Sequence, residues 1–497
     1  MIRRGCVVAA IVAFTIAVTV HAAGRPWTLI RSEHLTLIGQ QSPKTLHRIA
    51  IDLEQFRAVL GSLIQNAQRP LPVPTHVYVF DSRKELQPFL PVRNGRVASL
   101  GGFFHHDGDV NDIALALEGY DQSVAVVFHE YTHLLVRNAA KSIPVWLNEG
   151  LAEYYSTYGL ESGGMRAHIG RPIPHHVELL RERFIPLSQL IAVDTASALY
   201  DEGERRSIFY AEAWALTHYL MIEMPKGPLA INTYVTAIAR GQPPDAAFGE
   251  AFGMGPAHFE QELRRYVQRS AFRSTVFVFP HRVRVDTPDP GRRVATGDVD
   301  AWLGDLQRRV GRRQEAAPRI EAAVAAAPSS SMPQLALALL RLDEERTSEA
   351  WPAFERAVAA APDDFFAQYA YGVSRLRHQA AAGDRSGHTT AIDRAREALA
   401  RAAAINPSSS DAFAWLAYAE MIADNRLAEA RTAITRAIDL APGRIDYRLR
   451  YADICILEGK IAEASALLAE LAKITTDRAA SEGAARRLAT LAQLRRD

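Results

Sequence analysis

Apolar positions along the 497-residue chain change their spacing several times, and each change marks a different kind of element. Residues 27–40, WTLIRSEHLTLIGQ, alternate like a strand, whereas Leu46, Ile49, Leu53, Phe56, Leu60 and Ile64 follow at helical spacing across 43–64. THVYVFDS (75–82) reads as a buried strand, so the order strand, helix, strand predicts a mixed sheet with helical cover. Residues 111–117, NDIALAL, alternate again, with Ile113, Leu115 and Leu117 on one face. In VAVVFHEYTHLLVRN (124–138), Val124, Val127, Phe128, Tyr131, Leu134 and Leu135 mark the buried face of a helix. VWLNEGLAEYYSTY (145–158) and SIFYAEAWALTHYLMIEM (207–224) are further helical patterns, and segments around 228–240 and 256–272 complete this part of the chain.

Two short strand-like runs and a Pro/Gly-rich polar stretch occupy 274–300, which predicts an interdomain linker. Beyond it the composition shifts to alanine and arginine. Pro328, Pro362, Pro407 and Pro442 each follow an alanine-rich helix, at intervals of 34, 45 and 35 residues. Leu337, Ala338, Ala350, Phe354, Ala357 and Pro362 occupy the small and large positions of one unit, so the region resembles the tetratricopeptide repeats. The stretch AAAGDRSGHTT near 380–390 accounts for the long interval as an insertion. Such repeats imply a curved solenoid whose groove binds peptides or protein partners.

Chemistry concentrates in the 124–138 helix. His129, Glu130 and His133 form H-E-x-x-H, and four residues is about one turn, so both imidazoles can reach one metal ion. A catalytic zinc site needs a third protein ligand. Glu149 and Glu153 share a face four residues apart on the next helical pattern, amid Trp146, Leu151, Tyr154 and Tyr155 rather than in a solvated charge run. Gly150 stands between them, and a glycine inside a helix implies that another helix or a ligand approaches closely there. His105, His106, His168, His175 and His176 read as loop or wall residues rather than ligands.

H129-E-Y-T-H133 followed by W146-L-N148-E149-G150-L-A resembles the gluzincin metallopeptidases, which include thermolysin and the membrane alanyl aminopeptidase family. The resemblance implies a zincin-like α+β domain in which His129, His133 and Glu149 hold Zn²⁺, Glu130 is the base on the attacking water, and Glu153 supports a ligating histidine. Tyr210-A-E-A is similar to the Y-E-K-G of the aminopeptidases, which implies Tyr210 as the oxyanion donor. In zinc peptidases the strand before such a helix is often the sheet edge along which an extended peptide lies, and that place falls to 111–117. Two departures from the aminopeptidases stand out: only 15 residues separate His133 from Glu149, and no G-x-M-E-N stretch precedes the motif to hold a free substrate N-terminus.

Composition narrows the picture. With 57 basic and 56 acidic residues, no net field favours nucleic acid. Arg3 and Arg4 ahead of an apolar run from Val7 to Val20 read as a secretory signal, so the expected place is the periplasm or outside the cell, with no stable membrane span after signal cleavage and an uncleaved inner-membrane anchor as the alternative. Cys6 would leave with that signal and Cys455 would remain alone, which rules out an intrachain disulfide. The expected organisation is a signal peptide at 1–23, an α+β metallopeptidase domain at 24–275, a linker at 276–297 and an all-α tetratricopeptide solenoid at 298–497. The expected activity is that of an exported zinc endopeptidase acting on peptide or protein substrates, with the repeats docking substrates or partners. An envelope protein-interaction scaffold with an inactive or structural metal site, and an aminopeptidase, are the alternatives.

Overall fold

In the computed structural model, strand β1 (Thr28–Arg31) pairs antiparallel with β2 (Leu35–Gly39), and helix α1 (Pro43–Leu63) returns the chain so that β3 (Thr75–Phe80) runs parallel to β2. The structure describes residues 25–494 except 65–67, 70, 94–95, 98–101, 107, 140–142, 162, 195–196, 198, 201–206, 383–387, 424–425 and 475–477. The export signal expected at 1–23 and part of the insertion expected near 380–390 lie outside the described residues. Ser42 starts α1 by accepting a hydrogen bond from the Thr45 backbone N–H, with Pro43 preset for the first turn.

After a turn of helix α2 (Arg83–Leu86) and the short strands β4 (Val92–Arg93) and β5 (Arg96–Val97), β6 (Gly102–His106) pairs antiparallel with β7 (Asn111–Ala116), which is parallel to β3. Helices α3 (Tyr120–Ala139) and α4 (Val145–Ser156) follow, then the pair β8 (Gly159–Leu160) and β9 (Arg166–Ile169). Helices α5 (Pro174–Glu182), α6 (Leu187–Ile191), α7 (Ile208–Ile222), α8 (Gly227–Ala239), α9 (Pro244–Phe252) and α10 (Pro256–Val267) share a core rich in aromatic rings. Helix α7 is buried on nearly every side, which is why its sequence is apolar all round rather than striped.

The segment expected as a free linker is instead stitched into the sheets. Strand β10 (Thr275–Val278) pairs with β9, and β11 (Arg292–Arg293) pairs with β1. The Asp289 carboxylate accepts hydrogen bonds from the Arg31 and Gly291 backbone N–H groups. Gly291, at φ +80, sits so close to β1 that a Cβ would come within 2.9 Å of Ile30. Strand β10 falls in the first of the strand-like runs, whereas β11 is two exposed arginines with no apolar signal to mark it as a strand.

The main sheet has the order β11-β1-β2-β3-β7-β6. Residues 111–117 were expected at the sheet edge, yet β7 is an interior strand and β6 is the edge. His105 and His106 accordingly lie in β6, opposite Asp112 and Asn111, not in a loop. Their alternation is hidden because only Phe103 and Phe104 are apolar, one packed on each face of the sheet.

Beyond β11 come helices α11 (Thr296–Arg309), α12 (Arg313–Ala326), α13 (Ser331–Asp343), α14 (Thr347–Ala360), α15 (Phe365–Ala382), α16 (His388–Ile405), α17 (Ser410–Ile422), α18 (Leu427–Leu440), α19 (Ile445–Leu457), α20 (Ile461–Leu471) and α21 (Arg478–Leu494). Each phased proline stands two residues past the end of the second helix of a pair, where it cannot continue the helix. No helix among the described residues is long and apolar enough to cross a membrane.

The array is not a separate body. One face of the sheet, through Ile30, Leu37, Val77, Val79, Ile113 and Leu115, packs on α1 and α3. The other, through Leu29, Ile38, Tyr78, Phe80, Ala114 and Ala116, is covered by Val299, Leu303 and Leu306 of α11. At this seam Arg309 grips the buried Asp112 of β7 with two hydrogen bonds (2.6 and 3.1 Å) and donates to the Tyr78 hydroxyl. Burial alone would raise the Asp112 pKa, but Arg309 and His76 together outweigh it and hold the carboxyl down to about 2. Further along, residues at the sheet end meet the first helix of each successive pair. His76 meets the rings of Trp302 and Phe366, Val110 packs with Leu335, and the Ser409 hydroxyl donates to the Pro72 carbonyl at 2.6 Å.

Candidate metal centre

Helices α3 and α4 lie side by side beneath the sheet edge, which brings their polar faces together. His129 is 2% exposed and Glu149 3%, so both sit where a lone charge is costly. The His129 and His133 Nε2 atoms are 3.1 Å apart, and the Glu149 Oε2 atom is 3.4 Å from the first and 3.2 Å from the second. Among the described residues these three are the one group of His, Cys, Asp and Glu donors that converges this closely.

The spacing can be tested against a metal. Zinc bonds of about 2.0–2.1 Å in a tetrahedral site require donor atoms about 3.3 Å apart, and all three separations fall near that value. Glu149 Oε2 is also buried without a hydrogen-bond partner. A single proton can bridge one pair of these atoms but not all three, whereas one cation satisfies the set. The donors therefore fit Zn²⁺.

Supporting contacts lie behind the donors. Glu153 places one oxygen 3.2 Å from His129 Nδ1 and the other 3.4 Å from Nε2 of the buried His176. Burial would raise the Glu153 pKa, but the neighbouring His129 and His176 hold it down to about 2. Glu149 likewise stays well below the usual carboxylate range despite burial, because His133 and His129 face it. His133 is raised: burial opposes its charge, and Glu149 and Asn148 outweigh burial. Replacing Glu153 by glutamine is expected to weaken zinc binding by about 10–100-fold, read by competition against a chromogenic chelator. Unchanged affinity would count against its role as a support.

Gly150 explains how α4 can sit this deep. A Cβ there would come within 2.1 Å of Thr217 Oγ1 and 2.4 Å of the Ala213 carbonyl, both on α7. Gly150→Ala is expected to cost about 1–3 kcal/mol through the forced separation of α4 and α7, seen as a lower thermal midpoint and weaker zinc binding.

Glu130 lies on α3 next to His129, half-buried and outside the donor triangle. Tyr210, on α7, is 2% exposed, with its ring 6.5 Å from that of His129. Of the other histidines, His106 bonds Asn111 at 2.8 Å, His168 bonds Glu161 at 2.8 Å, and the His175 ring lies tilted against that of His176 on α5. None of them joins the donor triangle. Sequence reasoning missed Tyr200, whose hydroxyl donates to Glu149 Oε1 at 3.0 Å and so turns Oε2 toward the histidines. Nothing in the polar stretch around it signals that contact, which spans 51 residues.

Family comparison separates the two parts of the chain. Residues 421–488 match the tetratricopeptide repeat family. The C-terminal part is a tetratricopeptide-repeat region. Residues 123–232, which carry the donor triangle, Glu153, Tyr200 and Tyr210, match a family described as a protein of unknown function, DUF1570. No curated protein matches the chain. Among solved structures the chain is similar to PilF of Pseudomonas aeruginosa, at 20% identity and TM-score 0.33 over 40% of this chain and 86% of that one. It is also similar to a thermophilic tetratricopeptide protein of Thermus thermophilus, at 19% identity and TM-score 0.31 over 40% and 99%. MamA of Desulfovibrio magneticus is similar at 16% identity and TM-score 0.31 over 36% and 96%.

Proposed function

We propose that this chain is an exported zinc endopeptidase, similar to the gluzincins, built onto a tetratricopeptide solenoid. The observation that carries the reading is the buried triangle of His129 Nε2, His133 Nε2 and Glu149 Oε2, with edges of 3.1–3.4 Å. A zinc ion held there would supply Lewis acidity, acidifying a water and polarising the scissile carbonyl.

The chain's own groups do the rest. Glu130 takes a proton from the attacking water and passes it to the leaving amine. Tyr210, whose ring lies beside that of His129, donates its hydroxyl proton to the oxyanion in a hydrogen bond. Tyr200 and Glu153 hold Glu149 and His129 in place. Strand β6, antiparallel to β7 at the sheet edge next to α3, offers its outer backbone groups to an extended peptide. The absence of a G-x-M-E-N stretch favours internal cleavage over removal of N-terminal residues.

A second reading keeps the repeats and drops the chemistry: a protein-interaction scaffold whose metal site is structural. The tetratricopeptide match favours it, since such repeats bind peptides or proteins. The two readings part on a paired measurement of bound zinc and of hydrolysis of an unfolded protein substrate. Stoichiometric zinc with hydrolysis that a chelator abolishes supports the endopeptidase. Zinc without hydrolysis leaves the scaffold.

A further inference from the structure

We propose that the C-terminal half of the solenoid groove, around Arg450, docks an extended acidic peptide segment of a partner protein. The N-terminal half is already occupied by the chain itself, and the occupant shows what the groove accepts. Asp109 gives its carboxylate to Arg377 at 2.8 Å, and the adjacent Val110 is buried with Leu335, Ala338 and Phe366. An acidic residue beside a β-branched one is thus recognised by a cation beside an apolar pocket.

The same chemistry continues past that loop, where no carboxylate among the described residues pairs with Arg450. The Arg377 guanidinium lies 5.1 Å from the Trp415 ring, and Arg450 lies 5.1 Å from Trp415 and 5.0 Å from Tyr418. Trp415, Tyr418 and Arg450 are all partly exposed. The neighbouring arginines are committed: Arg431 to Glu458, Arg444 to Asp411 and Asp446, Arg448 to Glu470. Arg450 donates to the Ala414 carbonyl and makes no ion pair among the described residues.

Burial lowers the Arg450 pKa in spite of the negative charges of Asp446 and Asp411 nearby. Both of those carboxylates are taken, Asp411 by the Tyr447 hydroxyl at 2.6 Å as well as by Arg444. A guanidinium set against a T-shaped pair of rings and short of an anion is a ready fork for a carboxylate. The apolar rings beside it suit alternate side chains of an extended strand. The inference does not depend on the metal centre.

The test uses the full chain and a fluorescein-labelled decapeptide of alternating Glu and Val, with its Gln and Val counterpart as control, followed by anisotropy. The acidic peptide is expected to bind saturably, at least about tenfold tighter than the control, and to weaken between about 0.05 and about 0.5 M salt. Arg450→Gln should lower its affinity about tenfold with helicity unchanged, and Arg450→Lys should recover only part because the planar fork is lost. Equal binding of both peptides, or unchanged affinity in a folded Arg450→Gln, overturns the proposal. If Arg450→Gln loses helicity, photocrosslinking of the acidic peptide to the wild-type chain decides: labels on α17 and α19 support the site, and labels elsewhere overturn it. A dimer that Arg450→Gln dissolves would assign the face to a second copy of the chain and overturn it too.

Discussion

Glu130→Gln is expected to retain one zinc per chain and to lose about 10²–10⁴-fold of its rate on an unfolded protein substrate. Glutamine matches the shape of the carboxylate, so α3 keeps its packing, and Glu130 is outside the donor triangle, so the proposed metal would keep its ligands. An amide has no basic oxygen to take the proton of the attacking water, and the lost rate measures that one transfer. His129→Ala serves as the contrast, because it should lose zinc and activity together. Zinc content by mass spectrometry and peptide release from a denatured substrate check both outcomes. An undiminished rate in Glu130→Gln would remove the mechanism proposed here, whatever the metal content.

A chain ending at residue 295 is expected not to yield a soluble folded domain. It stops one residue before α11 and strips the cover from Leu29, Ile38, Tyr78 and Phe80. At about 1.5–3 kcal/mol for each large side chain uncovered, the loss approaches the whole stability of an ordinary domain, about 5–15 kcal/mol. Asp112, on the same face, would also lose the ion pair with Arg309. A chain ending at residue 326 restores α11 and its partner α12 and should recover a cooperative transition. Soluble expression, dye binding to exposed apolar surface and thermal melts compare the two. A cooperative, dye-silent melt from the shorter chain would mean that α11 belongs to the solenoid alone.

What could be read from the sequence follows from the range of each interaction. The pair His129 and His133 is a one-turn relation within a helix, visible as spacing. Glu149 stands beyond a loop, and only the likeness to a family of enzymes singled it out from other glutamates. Tyr200 touches Glu149 from 51 residues away, in a stretch without period, and no local rule could find it. The stripe of Val299, Leu303 and Leu306 shows the same limit. Helical spacing reveals that a face is covered but not by what, and the helix that roofs the sheet falls inside the range expected for the solenoid, 298–497. Strand β6 escaped notice because two of its five residues are histidines.

The contacts between the solenoid and the rest of the chain set the order in which it comes apart. Free tetratricopeptide arrays fray from both ends, since each repeat leans only on its neighbours. Here α11 shares a core with the sheet, and α13, α15 and the start of α17 hold the sheet-end loops. The first repeats are thereby denied their free end. Loss of structure then starts at α21 and moves inward, against the contacts that Gly241 makes beside Lys473 after α20 and that Arg69 makes at the end of α18. The molecule is hardest to open where its two halves meet, and amide protons along the array should exchange in that same sequence.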